Sequence, residues 1–135
     1  MISVDTIINA PDEKVWKHWN DPNSVKNWNH ASEDWYCPKA TNELKNGGKF
    51  SYTMSDIEDK TSFDFGGMYI EIEPNKFIEI KLDDGRKMTV EFEKVDSNNT
   101  IITESFETEE TNSIDKQREG WQAILDNFKK YCEEA

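Results

Sequence analysis

The chain has 135 residues, a length that suits one domain with a sizeable hydrophobic core. Charged residues make up 33 % of the sequence and aromatic residues 12 %, which is typical of a folded globular protein rather than a disordered acidic chain. The formal net charge of -12 opposes binding to nucleic acid phosphates and to anionic lipid surfaces. We therefore expect neither nucleic acid nor a membrane as a partner.

The N-terminus and the cysteines predict the compartment. The first residues, MISVDTII, have neither the basic start of a secretion signal nor the long apolar run of a membrane span. Cys37 and Cys132 lie far apart, and two thiols make no metal-ligand pattern. These features predict a cytoplasmic protein that binds no metal and no other cofactor.

The first part of the chain predicts one strand followed by two short helices. Apolar and polar residues alternate over residues 2–9, as they do in a half-buried strand. A short helix is expected over residues 11–20, with Pro11 at its first position and an apolar stripe that includes Trp19. Asp21 and Pro22 then begin a second short helix, which ends near Trp28.

The middle of the chain predicts strands joined by hairpins. Alternating apolar residues mark six segments, near residues 35–44, 50–54, 63–69, 78–82, 88–92 and 102–106, and turn-forming residues separate them. Strands connected by hairpins are antiparallel neighbours. Gly66 and Gly67 interrupt one strand and predict a bulge or bend that would curl the sheet.

A long helix is predicted over residues 113–131, after an acidic connection. Apolar residues recur there at steps of three, four and seven, which places on one helix face Ile114, Trp121, Ile124, Leu125, Phe128 and Cys132. So bulky an apolar face must be covered by the sheet. The sequence therefore predicts a single α+β domain over residues 1–135, in which a curved antiparallel sheet of about six or seven strands surrounds a long C-terminal helix.

The sequence also resembles a known family. The matching residues follow one another in a characteristic order: Ala10-Pro11, Val15-Trp16, Trp28, Gly47-Gly48-Lys49-Phe50, Gly67 and Gly120-Trp121 with Leu125. In this order the chain resembles the helix-grip START-like, or SRPBCC, superfamily, and within it the domain homologous to the activator of the heat-shock chaperone ATPase. The resemblance implies a helix-grip fold with an apolar cavity beneath the long helix.

We expect such a cavity to be lined mainly by large apolar side chains. The candidate ligand-binding residues are Trp19, Trp28, Trp35, Phe50, Tyr52, Phe63, Phe65, Tyr69, Met88, Glu104, Trp121, Leu125 and Phe128. The competing interpretation is that these residues simply pack the core, as aromatic residues commonly do. Gly120 has two interpretations as well: close packing of the helix on the sheet, which we favour, or room for a ligand.

Glu104 is the one candidate with an ionisable side chain. It shares the strand parity of Ile102 and Phe106, so it points into the cavity if that face is the inner one. A carboxyl group there could orient a ligand or exchange a proton with it. The opposite register would turn Ile101 and Thr103 inward and leave Glu104 in water, and the pattern slightly favours this register.

Three functions remain open at this point. The first is non-enzymatic binding of a small apolar molecule by a monomer or weak dimer. The second, which the resemblance implies, is interaction with a heat-shock chaperone. The third is a cyclase- or hydrolase-like enzyme, for which the only polar candidates are Glu104, Asp64 and Tyr69. His18 and His30 have no partnered nucleophile, so we assign no catalytic residue.

Overall fold

The computed structural model describes residues 1–135 and consists of seven strands and three helices. In chain order the elements are β1 (Ile2–Ile8), α1 (Asp12–Asn20), α2 (Pro22–Trp28), β2 (Trp35–Asn42), β3 (Lys49–Asp56), β4 (Ser62–Glu73), β5 (Phe77–Leu82), β6 (Lys87–Asp96), β7 (Asn99–Phe106) and α3 (Ile114–Glu134). The predicted order of elements and the α+β helix-grip fold are confirmed, with α3 extending one turn beyond its predicted end.

All seven strands belong to one antiparallel sheet in the order β1-β7-β6-β5-β4-β3-β2. Each strand from β2 to β7 lies beside its neighbour in sequence, because hairpins connect them. β1 instead pairs with β7, which places the two strands that flank α1 and α2 at opposite edges of the sheet.

The inner face of the sheet carries the alternating apolar residues that the sequence predicts. The buried members on β5, β6 and β7 are Ile78, Ile80, Leu82, Met88, Val90, Phe92, Ile102 and Phe106. Each contributes a full side chain to a continuous core, and this burial is the main favourable term in folding. The outer face of these strands carries mainly polar and charged side chains, with Phe77 and Ile101 among the apolar exceptions.

The two glycines in β4 do not form the predicted bulge. Gly66 and Gly67 pair regularly with β3, and the register shift of β4 falls later, between Tyr69 and Glu71. A Cβ atom at Gly67 would lie 2.5 Å from the carbonyl oxygen of Lys81, and one at Gly66 would lie 2.6 Å from that of Phe50. The glycines therefore allow close approach of the neighbouring strands. The irregularity in pairing begins two residues after Gly67, at Tyr69.

α3 is the helix that closes the inner face. Leu125, Phe128 and Cys132 are fully buried, and Phe128 meets the rings of Trp19 and Trp28 edge-on at 5.0 and 4.9 Å between centroids. α3 packs mainly against β1 and also contacts α1 and α2. The prediction for Ile114 is wrong, since this side chain is 55 % exposed at the start of the helix.

The buried stripe of α3 begins with a polar residue, Gln117. Its amide nitrogen donates to the carbonyl oxygens of Glu109 and Asn112, and its amide oxygen accepts from the backbone nitrogen of Glu109. Ser113 caps the helix by accepting from the nitrogen of Lys116. The acidic connection before α3 is thereby fixed to the first turn of the helix. None of the helices is long and apolar enough to cross a membrane.

We predict that Phe128→Ala destabilises the protein by about 3–5 kcal/mol, because it deletes a fully buried ring at the centre of the helix–sheet contact. Lys130→Ala on the exposed side of α3 is the matched control and should change the free energy of unfolding by less than about 0.5 kcal/mol. Urea unfolding of both variants measures the difference. A cost below that of the control would show that α3 does not organise the core.

Candidate functional site

A cavity of about 370 Å³ lies between α3 and the inner face of the sheet. It forms because α3 packs along β1, at one edge of the sheet, and leaves the inner faces of β3 and β4 without a helix directly against them. Exposed lining residues, among them Asn112 just before α3 and Lys116 in its first turn, mark the side on which the cavity meets solvent. A volume of this size lies within the range of small-molecule sites.

Most of the predicted ligand-binding residues line this cavity. They come from four of the strands and all three helices and are Trp19, Trp28, Phe50, Tyr52, Phe63, Phe65, Tyr69, Met88, Glu104 and Trp121. The other three candidates do not reach it. Leu125 and Phe128 are fully buried in the core, and Trp35 packs edge-on against Phe63 with 5.8 Å between ring centroids.

Trp121 connects α3 to both sides of the cavity. Its indole stacks on Phe106 of β7, with 3.8 Å between centroids and 13° between planes, and meets Phe65 of β4 edge-on at 6.0 Å. The indole faces the sheet, as the helical spacing predicts. Trp121 thus forms part of the cavity wall between β4 and β7 and does not fill the cavity.

A group of polar side chains lies at the α1 end of the cavity. Asn42 donates to the carbonyl oxygen of Asn20 at 2.7 Å and to the hydroxyl of Tyr69 at 3.4 Å. Burial raises the pKa of Tyr69, and it raises that of Tyr52 well above its ordinary value, so both hydroxyls remain protonated at neutral pH. These groups offer neutral hydrogen-bonding positions beside the apolar wall.

Glu104 faces inward, which corrects the register favoured from the sequence. Its side chain is 4 % exposed, whereas Ile101 and Thr103 lie on the other face of β7 and are half-buried. Directly across the sheet its neighbours are Val4 of β1 and Val90 of β6. Oε1 has no hydrogen-bond partner, and burial raises the pKa of the carboxyl group to about 8.

Gly120 borders the cavity and does not mark close packing. A Cβ atom added there would meet no atom within 4 Å beyond the helix itself. The favoured interpretation of this glycine was therefore wrong, and its alternative, open space beside Trp121, describes the structure.

Several lining residues were not predicted. Met54 and Ile80 follow the same strand parity as the predicted residues and could have been found by that signal. The sequence gives no comparable signal for Asn29, Arg86 and Glu109, which come from connections between elements.

His18 and Asp64, which were considered for catalysis, lie outside the cavity lining. The cavity lining contains no Ser, Cys or His. The expectation that His18 has no partnered nucleophile is wrong, because its ring hydrogen-bonds to the hydroxyl of Ser24 at 2.9 Å, but Ser24 is buried and neither residue lines the cavity. The side chain of Asp64 is exposed and accepts from Thr53 at 2.7 Å. No group of three or more His, Cys, Asp or Glu side chains is arranged to hold a metal ion.

Comparisons with known proteins agree with this architecture. The family described as Activator of Hsp90 ATPase homolog 1-like protein matches residues 9–133. An AHSA1-like protein from Aeromonas hydrophila is 34 % identical with a TM-score of 0.89, covering 98 % of this chain and 93 % of its own. A protein from Cytophaga hutchinsonii is 45 % identical with a TM-score of 0.85, covering 98 % and 92 %. No protein of curated function matches the chain.

We predict that Glu104→Gln stabilises the protein increasingly as the pH rises from 5 to 8. An unfolded Glu releases its proton near 4.5, whereas folded Glu104 holds it up to about 8, so the wild type loses stability between these values. The expected gain of the variant at pH 8 over that at pH 5 is roughly 3 kcal/mol.

The matched control for this prediction is Glu91→Gln, which removes a carboxyl group from the exposed face of the neighbouring strand. Urea unfolding at several pH values compares both variants with the wild type. If the advantage of Glu104→Gln does not grow with pH, or grows equally in the control, Glu104 does not carry the raised pKa.

Proposed function

The chain belongs to the Activator of Hsp90 ATPase homolog 1-like protein family, and we propose that within this fold it binds a small hydrophobic molecule without catalysing a reaction. The observation that carries the proposal is the cavity of about 370 Å³ beneath α3, walled mainly by aromatic and aliphatic side chains. Protein interiors are normally packed without space of this size, and unfilled apolar volume costs stability. An apolar ligand that fills the space recovers this cost.

The lining supports binding rather than catalysis. The commonest side-chain nucleophiles, the hydroxyl or thiol of a Ser, Cys or Thr next to a base, are missing from the lining. Of the polar groups considered for an enzyme, Asp64 lies outside the cavity, and Glu104 has no partner that would orient it. The remaining hydroxyls of Tyr52 and Tyr69 stay protonated and serve better as hydrogen-bonding groups.

We predict that Gly120→Leu weakens the binding of Nile red, an uncharged fluorescent apolar probe, by about tenfold or more. The added side chain occupies space that is open beside Trp121, and the replacement of a mid-helix glycine should leave the protein at least as stable as the wild type.

Gly120→Ala is the matched control, since it gains the same helix propensity but adds only one methyl group to the cavity. Fluorescence titration gives the affinity of each variant, and thermal melting confirms that both are folded. Equal affinity in the wild type, Gly120→Ala and Gly120→Leu would show that the probe does not enter this cavity.

A second candidate function is activation of a chaperone ATPase, which the description of the matching family favours. We predict that, if the chain has this function, stoichiometric addition raises the ATPase rate of an Hsp90-type chaperone. Gly120→Leu should preserve the stimulation, because its change lies inside the cavity and leaves the outer surface intact. An unchanged rate with the wild-type protein rejects this function without affecting the proposal of ligand binding.

A further inference from the structure

Glu104 is an unusual group in the wall of this cavity. Its side chain is 4 % exposed, and Oε1 has no hydrogen-bond partner in the protein. Most buried polar atoms in folded proteins have such a partner, because an unpaired one loses its bonds to water without replacement. The missing partner therefore requires an explanation.

The nearest inward side chains of the surrounding strands do not supply this partner. Across the sheet Glu104 lies between Val4 and Val90, and the inward residues before and after it on β7 are Ile102 and Phe106. All four side chains are apolar. The cavity, whose lining includes Glu104, is therefore the side from which a ligand group can approach its carboxyl group.

The other polar groups of the lining are either engaged with other residues or lie at the exposed side. Arg86 pairs with Asp84 at 2.8 Å and donates to the carbonyl oxygen of Glu107. Glu109 lies in the connection that precedes α3. Lys116 lies in the first turn of α3 and is exposed. None of these charges is hydrogen-bonded to Glu104.

We propose that Glu104 is the polar anchor of the cavity and that the ligand is an uncharged apolar molecule with one hydroxyl, carbonyl or amide group that hydrogen-bonds to its carboxyl group. This inference rests on the proposed function and adds the chemical class of the ligand. A hydrocarbon would leave Oε1 unpaired. A cationic ligand would require an ionised carboxylate among apolar side chains, where the cost of desolvating two charges opposes the pair.

The protonation state of Glu104 agrees with this ligand class. Since burial raises its pKa to about 8, the carboxyl group is mostly neutral at pH 6.5 and offers one donor and one acceptor. Tyr52 and Tyr69, the other titratable groups deep in the lining, are neutral at this pH as well. The site therefore presents hydrogen-bonding groups without charge.

The test uses two probes that differ by one hydroxyl group, 2-naphthol and naphthalene. Their dissociation constants are measured at pH 6.5 by competition with Nile red, for the wild type, Glu104→Leu and Glu104→Gln. The quantity of interest is the ratio of the naphthalene constant to the 2-naphthol constant, because the cavity's apolar contribution largely cancels in it. Circular dichroism confirms that each variant is folded.

We expect this ratio to fall by about tenfold in Glu104→Leu, which removes the hydrogen-bonding group, and by less than about threefold in Glu104→Gln, which retains one. A ratio that is the same in the wild type and Glu104→Leu, with both probes bound, overturns the anchor but leaves binding of apolar ligands intact. Failure of both probes to bind any variant overturns both proposals. Tighter binding of 2-naphthylmethylammonium than of 2-naphthol to the wild type would overturn the uncharged class.

Discussion

The structure depends on a mismatch between the width of its sheet and the width of its helices. Strands lie about 4.8 Å apart, so a sheet of seven strands is roughly 30 Å wide, whereas one helix with its side chains is about 10 Å across. α3 packs on β1 and α2 packs on β2, which are the two opposite edges of the sheet. The helices contact one another, so the sheet must curl toward them, and β3, β4 and β5 remain without a helix packed directly against them.

Large aromatic side chains hold this space open because they are rigid and support one another from opposite sides. At one end the rings of Trp19, Trp28 and Phe128 contact each other edge-on or stacked and join the two short helices to α3. Toward the other end Trp121 rests on Phe106 and meets Phe65. Both clusters connect the helices to the sheet, and the cavity lies between them.

The pattern of the sequence was sufficient for the order of elements but not for the position of α3 over the sheet. Periodicity identifies which face of a helix or strand is apolar, and it placed Trp121 correctly toward the sheet. It carries no information on which strand the helix packs against. Periodicity therefore favours a close contact at Gly120, whereas in the structure α3 lies along β1 and leaves open space beside this glycine.

The sequence pattern is also insufficient to decide which residues of β7 face inward. Ile101 and Ile102 are equally apolar, so alternation within the strand does not decide which of them is buried. The decision comes from pairing with β1 and β6, which places Glu104 opposite Val4 and Val90 on the inner face. These partners are distant in sequence, and their register is fixed by apolar patterns on three strands together.

Keeping a carboxyl group at this position lowers the stability of the empty protein at neutral pH, since an aliphatic residue would fit the same apolar surroundings at lower cost. Residues that lower the stability of the fold in this way are expected at functional sites. The open volume and the unpaired Oε1 are two such costs in one place, and a single ligand with a matching polar group relieves both. Because any molecule that binds only the folded state stabilises it by an amount that grows with the logarithm of its concentration above Kd, ligand binding and folding stability are coupled in this domain through the same few side chains.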